Sequence, residues 1–300
     1  MTRPHLVPPR ESERGMILIN VLVIVMLATS VLALMLAGDD ADVERSTSLR
    51  SASQAMAYAR GGELTAVAAL RRDLAAGGPS DALDDGWAKI GDNAAPIAGG
   101  RFTLAVIDAQ AKFNLNSLTG GGILAGASLE QIVHAAGLPA DIAKQIGQGI
   151  QLTGPIGDLA DLEKVGFTPA QVAQLARFCT VLPTPTVVNL NTADEALIAI
   201  LTGNPTAART LVQARMRAGH LTPADLSAVS ILLPPGTGLR SDYFWVRARV
   251  TNGRTRQQLT SLLYRRMGEK GPEVLAVRRW RGPPPLQAPA LSEPLPAAEK

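Results

Sequence analysis

Met16 to Ala37 is an apolar run of 22 residues without a charged side chain. As a helix rising about 1.5 Å per residue it reaches roughly 33 Å, enough to cross a bilayer core of about 30 Å. A core helix of that length would carry a polar stripe, and this one carries none, so the run reads as a membrane span. Arg3, Arg10 and Arg14 precede it, and Asp39, Asp40, Asp42 and Glu44 follow it. That bias places the N-terminus in the cytoplasm and the bulk of the chain outside. A secretory signal has its small-residue cleavage site after the apolar run. Here Gly15 closes the charged leader on the other side, which predicts cleavage before the run and retention of the anchor.

The helical pattern continues past the membrane, over residues 39–76. Leu49, Ala52, Met56, Ala59, Val67, Leu70 and Leu74 recur mostly at three- and four-residue spacing without an intervening proline. Gly61 and Gly62 weaken this stretch by about 1 kcal/mol each relative to alanine. Its alanine-rich face is suited to packing under a larger body.

The leader ending in Gly15 and followed by an apolar helix resembles the type IV prepilin signal, which prepilin peptidase cuts after the glycine. Carried onto this chain, residues 1–15 are the leader, Met16 is the new, N-methylated terminus, and residues 16–38 form the transmembrane and filament-core helix. Pilins and major pseudopilins carry glutamate as the fifth mature residue, whereas this chain has Asn20. Four stretches extend the likeness: "AMAYARGGELTAVAAL" (55–70), "VIDAQAKFNLNSL" (106–118), "VVNLNTADEALIAIL" (187–201) and "YFWVRARV" (243–250). Together with the leader they resemble the minor pseudopilin K family of type II secretion, over about residues 10–280.

The resemblance implies a non-catalytic subunit of the bacterial inner membrane, single-pass, with a periplasmic head. Its implied partners are the other minor pseudopilins of a tip complex, the major pseudopilin and prepilin peptidase, with secreted substrate or the outer-membrane secretin as further candidates. In such filaments the glutamate is thought to pair with the N-terminal ammonium of the subunit above. Asn20 hydrogen-bonds but cannot neutralise that charge, which suits a subunit with nothing above it.

The rest of the chain reads as α+β: an antiparallel sheet interrupted by a large helical insertion. Arg101 to Ile107 alternates, and Lys112 to Leu115 is expected to continue that strand past a bend at Asp108–Gln110. Tyr243 to Val250 alternates again, Asn252–Gly253 signals a hairpin, Gln258 to Arg265 returns, and Glu273 to Trp280 adds a strand. Residues 77–118 and 236–281 therefore form a pilin-like head, and 119–235 an all-α insertion. Thr168, Thr192, Thr222 and Ser128, each with a partner three residues on, are expected helix N-caps. Residues 282–300, with six prolines, are expected to be a disordered tail.

Two stretches of the insertion, "DLEKVGFTPAQVAQLARF" and "NLNTADEALIAILTGNPTAARTLVQARMRAG", look like helix-hairpin-helix units, which raises a rival reading. A membrane-anchored DNA-binding protein of a competence or type IV pilus system uses such hairpins on phosphates. The hairpins here lack the paired glycines, and Arg209, Arg215 and Arg217 lack a broad basic face. With a net charge of +3, to which the leader contributes +1 (three arginines minus two glutamates), no nucleic-acid partner is expected.

Enzyme signatures are missing: no nucleophile elbow, Walker loop, HExxH or CxxC occurs. His5, His134 and His220 read as packed or solvated, and the lone Cys179 as a small hydrophobe in an apolar helix. No cofactor is required. Calcium is a candidate through Asp81, Asp84, Asp85, Asp92, Asp158 and Asp161, although neither stretch has EF-hand spacing and such carboxylates are more often solvated loop and cap residues.

Overall fold

The computed structural model describes residues 11–120, 123–229, 234–253 and 255–291. Two compact units divide the chain, Met1–Ser53 and Gln54–Lys300. The first helix, α1 (Glu11–Ala76), contributes to both. In the first unit its apolar side chains from Leu18 to Met35 are wholly exposed.

In the second unit α1 buries Ala55, Ala59, Ala66, Leu70 and Leu74 along one stripe. Leu49, placed on the packing face by its spacing, is instead exposed. Against the stripe lies a five-stranded antiparallel sheet in the order β1-β2-β7-β8-β9, numbered in chain order. Its strands are β1 (Asp92–Ile97), β2 (Gly100–Asp108), β7 (Tyr243–Asn252), β8 (Thr255–Gly268) and β9 (Gly271–Arg281). The alternation of β2 puts Phe102, Leu104 and Val106 on the face that meets Phe244, Val246, Ala248 and Val250 beneath α1. Small alanines let helix and sheet approach closely. Gly62 goes further, because a Cβ there would lie 2.6 Å from the Phe102 ring. The expected hairpin forms, with Asn252 paired to Thr255.

The helical insertion connects β2 to β7. Its helices are α2 (Ile123–Ala135), α3 (Asp141–Thr153), α4 (Asp161–Lys164), α5 (Pro169–Leu175), α6 (Glu195–Thr202), α7 (Pro205–Ala218) and α8 (Pro223–Ala228). They enclose a separate core around Leu129, Ile132, Ile146, Leu175, Leu197 and Leu211. Two short parallel bridges close its ends: β3 (Phe113–Asn114) with β4 (Cys179–Thr180), and β5 (Val188–Asn189) with β6 (Thr237–Gly238).

Several expectations require correction. Residues 112–115 do not extend β2: a 3-10 turn at Ala109–Ala111, capped by Asp108, swings the chain out of the main sheet, and Phe113–Asn114 pairs with Cys179–Thr180 instead. Cys179 is therefore in a strand, beyond the end of α5, and burial pushes its thiol up to about 12. Thr168 and Thr222 cap α5 and α8 with full capping boxes. Thr192 does not cap α6; Asp194 does, accepting from the Leu197 amide at 2.7 Å. Ser128 is inside α2, which starts five residues earlier at Ile123, and its hydroxyl donates to the Leu124 carbonyl. Residues 282–291, read as the start of a disordered tail, pack on the head: Gln287 and Leu291 are buried, and Arg247 donates to the Pro289 carbonyl. Proline-rich composition disfavours helix and ladder, but it does not prevent a chain from lying as an extended strap over an apolar surface. Pro294 and Pro296 lie outside the described residues.

Candidate assembly surfaces and the polar joint

The first candidate surface is the anchor. Its 18 residues from Leu18 to Met35 have a mean hydropathy of 2.6 and none of that window is buried. A helix satisfies its own backbone groups, which is what lipid demands. Thr29 and Ser30, the polar exceptions, turn their hydroxyls back to the Val25 and Met26 carbonyls at 2.9 and 2.7 Å. Asn20 and Met16 are exposed on this helix, and Gly15 belongs to it. Residues 1–10 of the leader, His5 included, lie outside the described residues.

A groove in the second unit is the next. It has a volume of about 740 Å³ and runs between α1 and the β1–β2 edge, lined by Tyr58, Gly61, Thr65, Ile90, Ile97 and Phe102. Its walls are mostly apolar, and Gly61 and Gly62 lower its floor.

What orients the insertion on the sheet is a buried polar joint. Asp108, at the end of β2, is 3% exposed. Its carboxylate accepts from Ser241 Oγ at 2.6 Å, Thr192 Oγ1 at 2.5 Å, Asn189 Nδ2 at 2.9 Å and the Gln110 amide at 2.7 Å. Burial outweighs these bonds and raises its pKa above the usual carboxylate range. Gln110 Oε1 accepts from the amides of Asp242 and Tyr243, tying the exit of β2 to the entry of β7. Alongside, the buried Arg265 guanidinium of β8 pairs with Asp81 and, at 2.6 Å, with Asp73 of α1. Helix, sheet and insertion thus converge on one cluster whose every carboxylate is met by donors, as low-dielectric burial requires.

The two asparagine stretches perform equivalent tasks in the insertion. Asn114 Oδ1 accepts from the Asn116 amide, and Asn189 Oδ1 from the Asn191 amide, at 3.1 and 3.0 Å. Asn116 then reaches across its helices to the Ile156 amide at 3.0 Å and the Leu182 carbonyl at 2.9 Å. Asn191 does the same to the Leu221 amide at 2.6 Å and the Leu239 carbonyl at 3.4 Å. Each short strand therefore opens a helical unit that its second asparagine clamps shut, and the insertion is a pair of such units.

The aspartates considered for calcium do not converge. Asp81 is committed to Arg265 and the Ser241 amide. Asp84 forms an exposed pair with Lys89, and Asp85 accepts from the Ala82 amide and the Trp87 indole. Asp161 accepts from the Gly157 and Asp158 amides, and Asp158 from the Ala160 amide. Asp92 is in β1, the opposite edge strand from β9. Among the described residues no group of three His, Cys, Asp or Glu side chains could hold a metal ion.

Of the arginines weighed for phosphate binding, Arg215 turns inward to the Leu190 and Ala193 carbonyls. Arg209 faces Glu195 at 3.6 Å, and Arg217 bonds its own helix at Gln213. His134 is exposed on the last turn of α2, and His220 is half-buried. Asp108, Gln110, Ser241 and Arg265 carry the joint without having stood out in the sequence. A lone carboxylate ending an alternating apolar strand was the available signal for Asp108.

No protein-family model matches the chain. It is 29% identical over 299 aligned residues to the type II secretion system protein K of Pseudomonas aeruginosa, covering 85% of this chain and 90% of that protein. Its fold matches a chain in the crystal structure of the GspK–GspI–GspJ complex from the enterotoxigenic Escherichia coli type 2 secretion system. That match has a TM-score of 0.63 at 20% identity, covering 80% of this chain and 100% of the other. The chain is thus similar in sequence to type II secretion system protein K, as the asparagine stretches suggested, and the α+β architecture is borne out in fold.

Proposed function

We propose that this chain, a type II secretion minor pseudopilin by its likeness to protein K, occupies the tip of the pseudopilus, where it initiates and caps assembly. The observation that carries the reading is the wholly exposed anchor, Leu18–Met35, bearing Asn20 where shaft subunits bear glutamate. A filament grown from the membrane adds each subunit beneath the last. Only the first has no ammonium above it, so only the first can dispense with a carboxylate at that depth. The bulky insertion, held rigidly to the sheet by the Asp108 joint, suits a cap, because it would fill the space of a preceding subunit.

In this reading prepilin peptidase cuts between Gly15 and Met16 and the new terminus is N-methylated. The anchor holds the protein in the inner membrane with its head in the periplasm and bundles with other minor pseudopilins; the solved complex of GspK with GspI and GspJ supports that class of partner. The major pseudopilin follows below, and the head faces secreted substrate or the secretin. The role is structural, without catalysis. Site-specific crosslinking from the anchor, with copy number counted per filament, tests it. Low copy, crosslinks to other minor pseudopilins and near-normal initiation by Asn20→Glu are expected. Repetition along the shaft at the abundance of the major subunit would refute the tip assignment.

A further inference from the structure

A cavity of about 210 Å³ lies where three parts of the second unit meet. The insertion supplies Gly157 and Leu182, the sheet supplies Leu262, Arg278 and Trp280, and the strap at 282–291 supplies Gln287. Leu182 and Leu262 are buried, and the Trp280 ring faces that of Trp245 with centroids 5.5 Å apart. These three side chains give the cavity apolar walls.

Most backbone groups around it are already spent inside the protein. The Ile156 and Leu182 carbonyls accept from Asn116 Nδ2, each at 2.9 Å, and the Gly157 carbonyl accepts from Arg278 Nη1. The amides of Ile156, Gly157 and Leu182 donate to Asn116, Asp161 and Asn114. What remains is the capacity to donate. Gln287 is 2% exposed, and its Oε1 accepts from the Leu159 amide at 3.3 Å. That bond fixes which way the side-chain amide points, and it leaves Nε2 without an acceptor among the described residues. A buried donor in that condition is costly until something accepts from it. Arg278 forms no ion pair among the described residues, and its Nε and Nη2 donors are unspent. A Cβ on Gly157 would lie 3.1 Å from Nη2, so glycine is what lets the guanidinium come this close to the backbone. Asp161, which also borders Gly157, is taken by the Gly157 and Asp158 amides and by Lys164 at 2.7 Å.

We propose that this cavity binds a carboxylate carried on a compact apolar group, with one oxygen received by Arg278 and the other by Gln287 Nε2. Donors without a free acceptor select an acceptor-only ligand. The uncompensated guanidinium selects an anion, and charge-assisted hydrogen bonds to carboxylate are the strong ones. The walls of Leu182, Leu262 and Trp280 select an apolar body. Drug-sized ligands occupy roughly 300–1,000 Å³, so this smaller space holds a single residue or an acid of that size. The C-terminal residue of a polypeptide ending in leucine and a free branched short-chain acid share this chemistry. The assignment does not depend on where the subunit sits in a filament.

Isothermal titration calorimetry of the full-length protein in detergent, with N-acetyl-leucine as the probe, tests the site. N-acetyl-leucinamide keeps the shape and removes the charge, so the acid should bind about tenfold more tightly or better. Equal affinity for the two, or no saturable heat from the acid in the millimolar range, overturns the proposal without recourse to any variant. Gln287→Glu keeps the acceptor for the Leu159 amide, removes the donor and adds a like charge, and should abolish binding of the acid. Arg278→Gln should weaken it by about tenfold or more. Unchanged affinity in both variants, with thermal unfolding like that of the wild type, would place the carboxylate elsewhere and overturn the site. A peptide ending in a free leucine separates the two sources. Binding at least as tight as that of the probe assigns the site to polypeptide ends, whereas exclusion of the peptide with retained binding of isocaproate assigns it to a free acid.

Discussion

The Asp108 carboxylate and the Asn189 amide meet at 2.9 Å, one from the end of the central sheet and the other from the middle of the helical insertion. Asn189 is itself fully buried and donates also to the Asp81 carbonyl and Ser241 Oγ. The contact is the point at which the insertion is registered on the sheet, so its removal should be felt by both. Asp108→Ala and Asn189→Ala should each cost about 2–4 kcal/mol, because each leaves buried donors or acceptors without partners. In a double-mutant cycle by chemical denaturation, the pair should cost clearly less than the sum. Simple additivity would mean that the two residues stabilise separate parts of the head.

Glu63 of α1 makes stability depend on pH from the acid side. Burial pushes its pKa up, but hydrogen bonds from Arg279 and Ser261 and the arginine charge pull harder, so it lies below its ordinary 4.5. Its ionised form is the one the fold stabilises. That contribution is present above pH 4.5 and lost as pH falls through the depressed folded value. Asp108 works in the opposite sense, since its raised pKa means that protonation relieves a cost. Glu63→Gln should therefore flatten the decline in stability below pH 4.5 that the wild type shows by circular dichroism; an equally steep decline in the variant would assign acid unfolding elsewhere.

The two asparagine clamps should fail independently. Asn116→Ala removes the bonds to Ile156 and Leu182, and Asn191→Ala those to Leu221 and Leu239. Each should cost about 2–3 kcal/mol. Amide exchange should quicken around Ile156 and Leu182 in the first variant and around Leu221 and Leu239 in the second. Loss of protection in both units from either change would show that the insertion opens as one piece.

Two glycines should respond to alanine with opposite signs. A Cβ on Gly100 would lie 1.8 Å from the Thr251 carbonyl oxygen of the paired strand, and backbone cannot yield as a side chain can. Gly100→Ala should destabilise the head by more than about 2 kcal/mol. Nothing lies within 4 Å of a Cβ on Gly61, an exposed helical position. Gly61→Ala should stabilise by up to about 1 kcal/mol through helix propensity alone. Thermal unfolding of the two variants side by side reads both signs.

Processing at the leader is open to a direct check. N-terminal sequencing of the mature protein should begin at Met16, and Gly15→Trp should leave the uncut form in the membrane. A mature terminus near residue 38 would mean ordinary secretory cleavage and would remove the basis for a pseudopilin reading.

What the sequence determined by itself is local or periodic. The uncharged run after Gly15 specifies a lipid-facing helix because hydropathy and length are properties of consecutive residues. The alternation around Leu104 and Val106, the Asn252–Gly253 turn and the Thr168 and Thr222 capping boxes are likewise written within a few positions. The α+β architecture, with a sheet interrupted by helices, follows from the order of those signals. Tertiary structure alone decided where isolated polar residues went. Thr192 has the spacing of an N-cap, yet it donates to Asp108, because a buried carboxylate gains more from a donor than a helix already capped by Asp194 gains from a second cap. Asp81, one of several loop aspartates by sequence, became the partner of Arg265 from a strand far along the chain. The strap at 282–291 is ordered through Arg247, Gln287 and Leu291, contacts that composition cannot express. Burial turns a hydrogen bond into a requirement, and only the folded chain determines which groups are buried together.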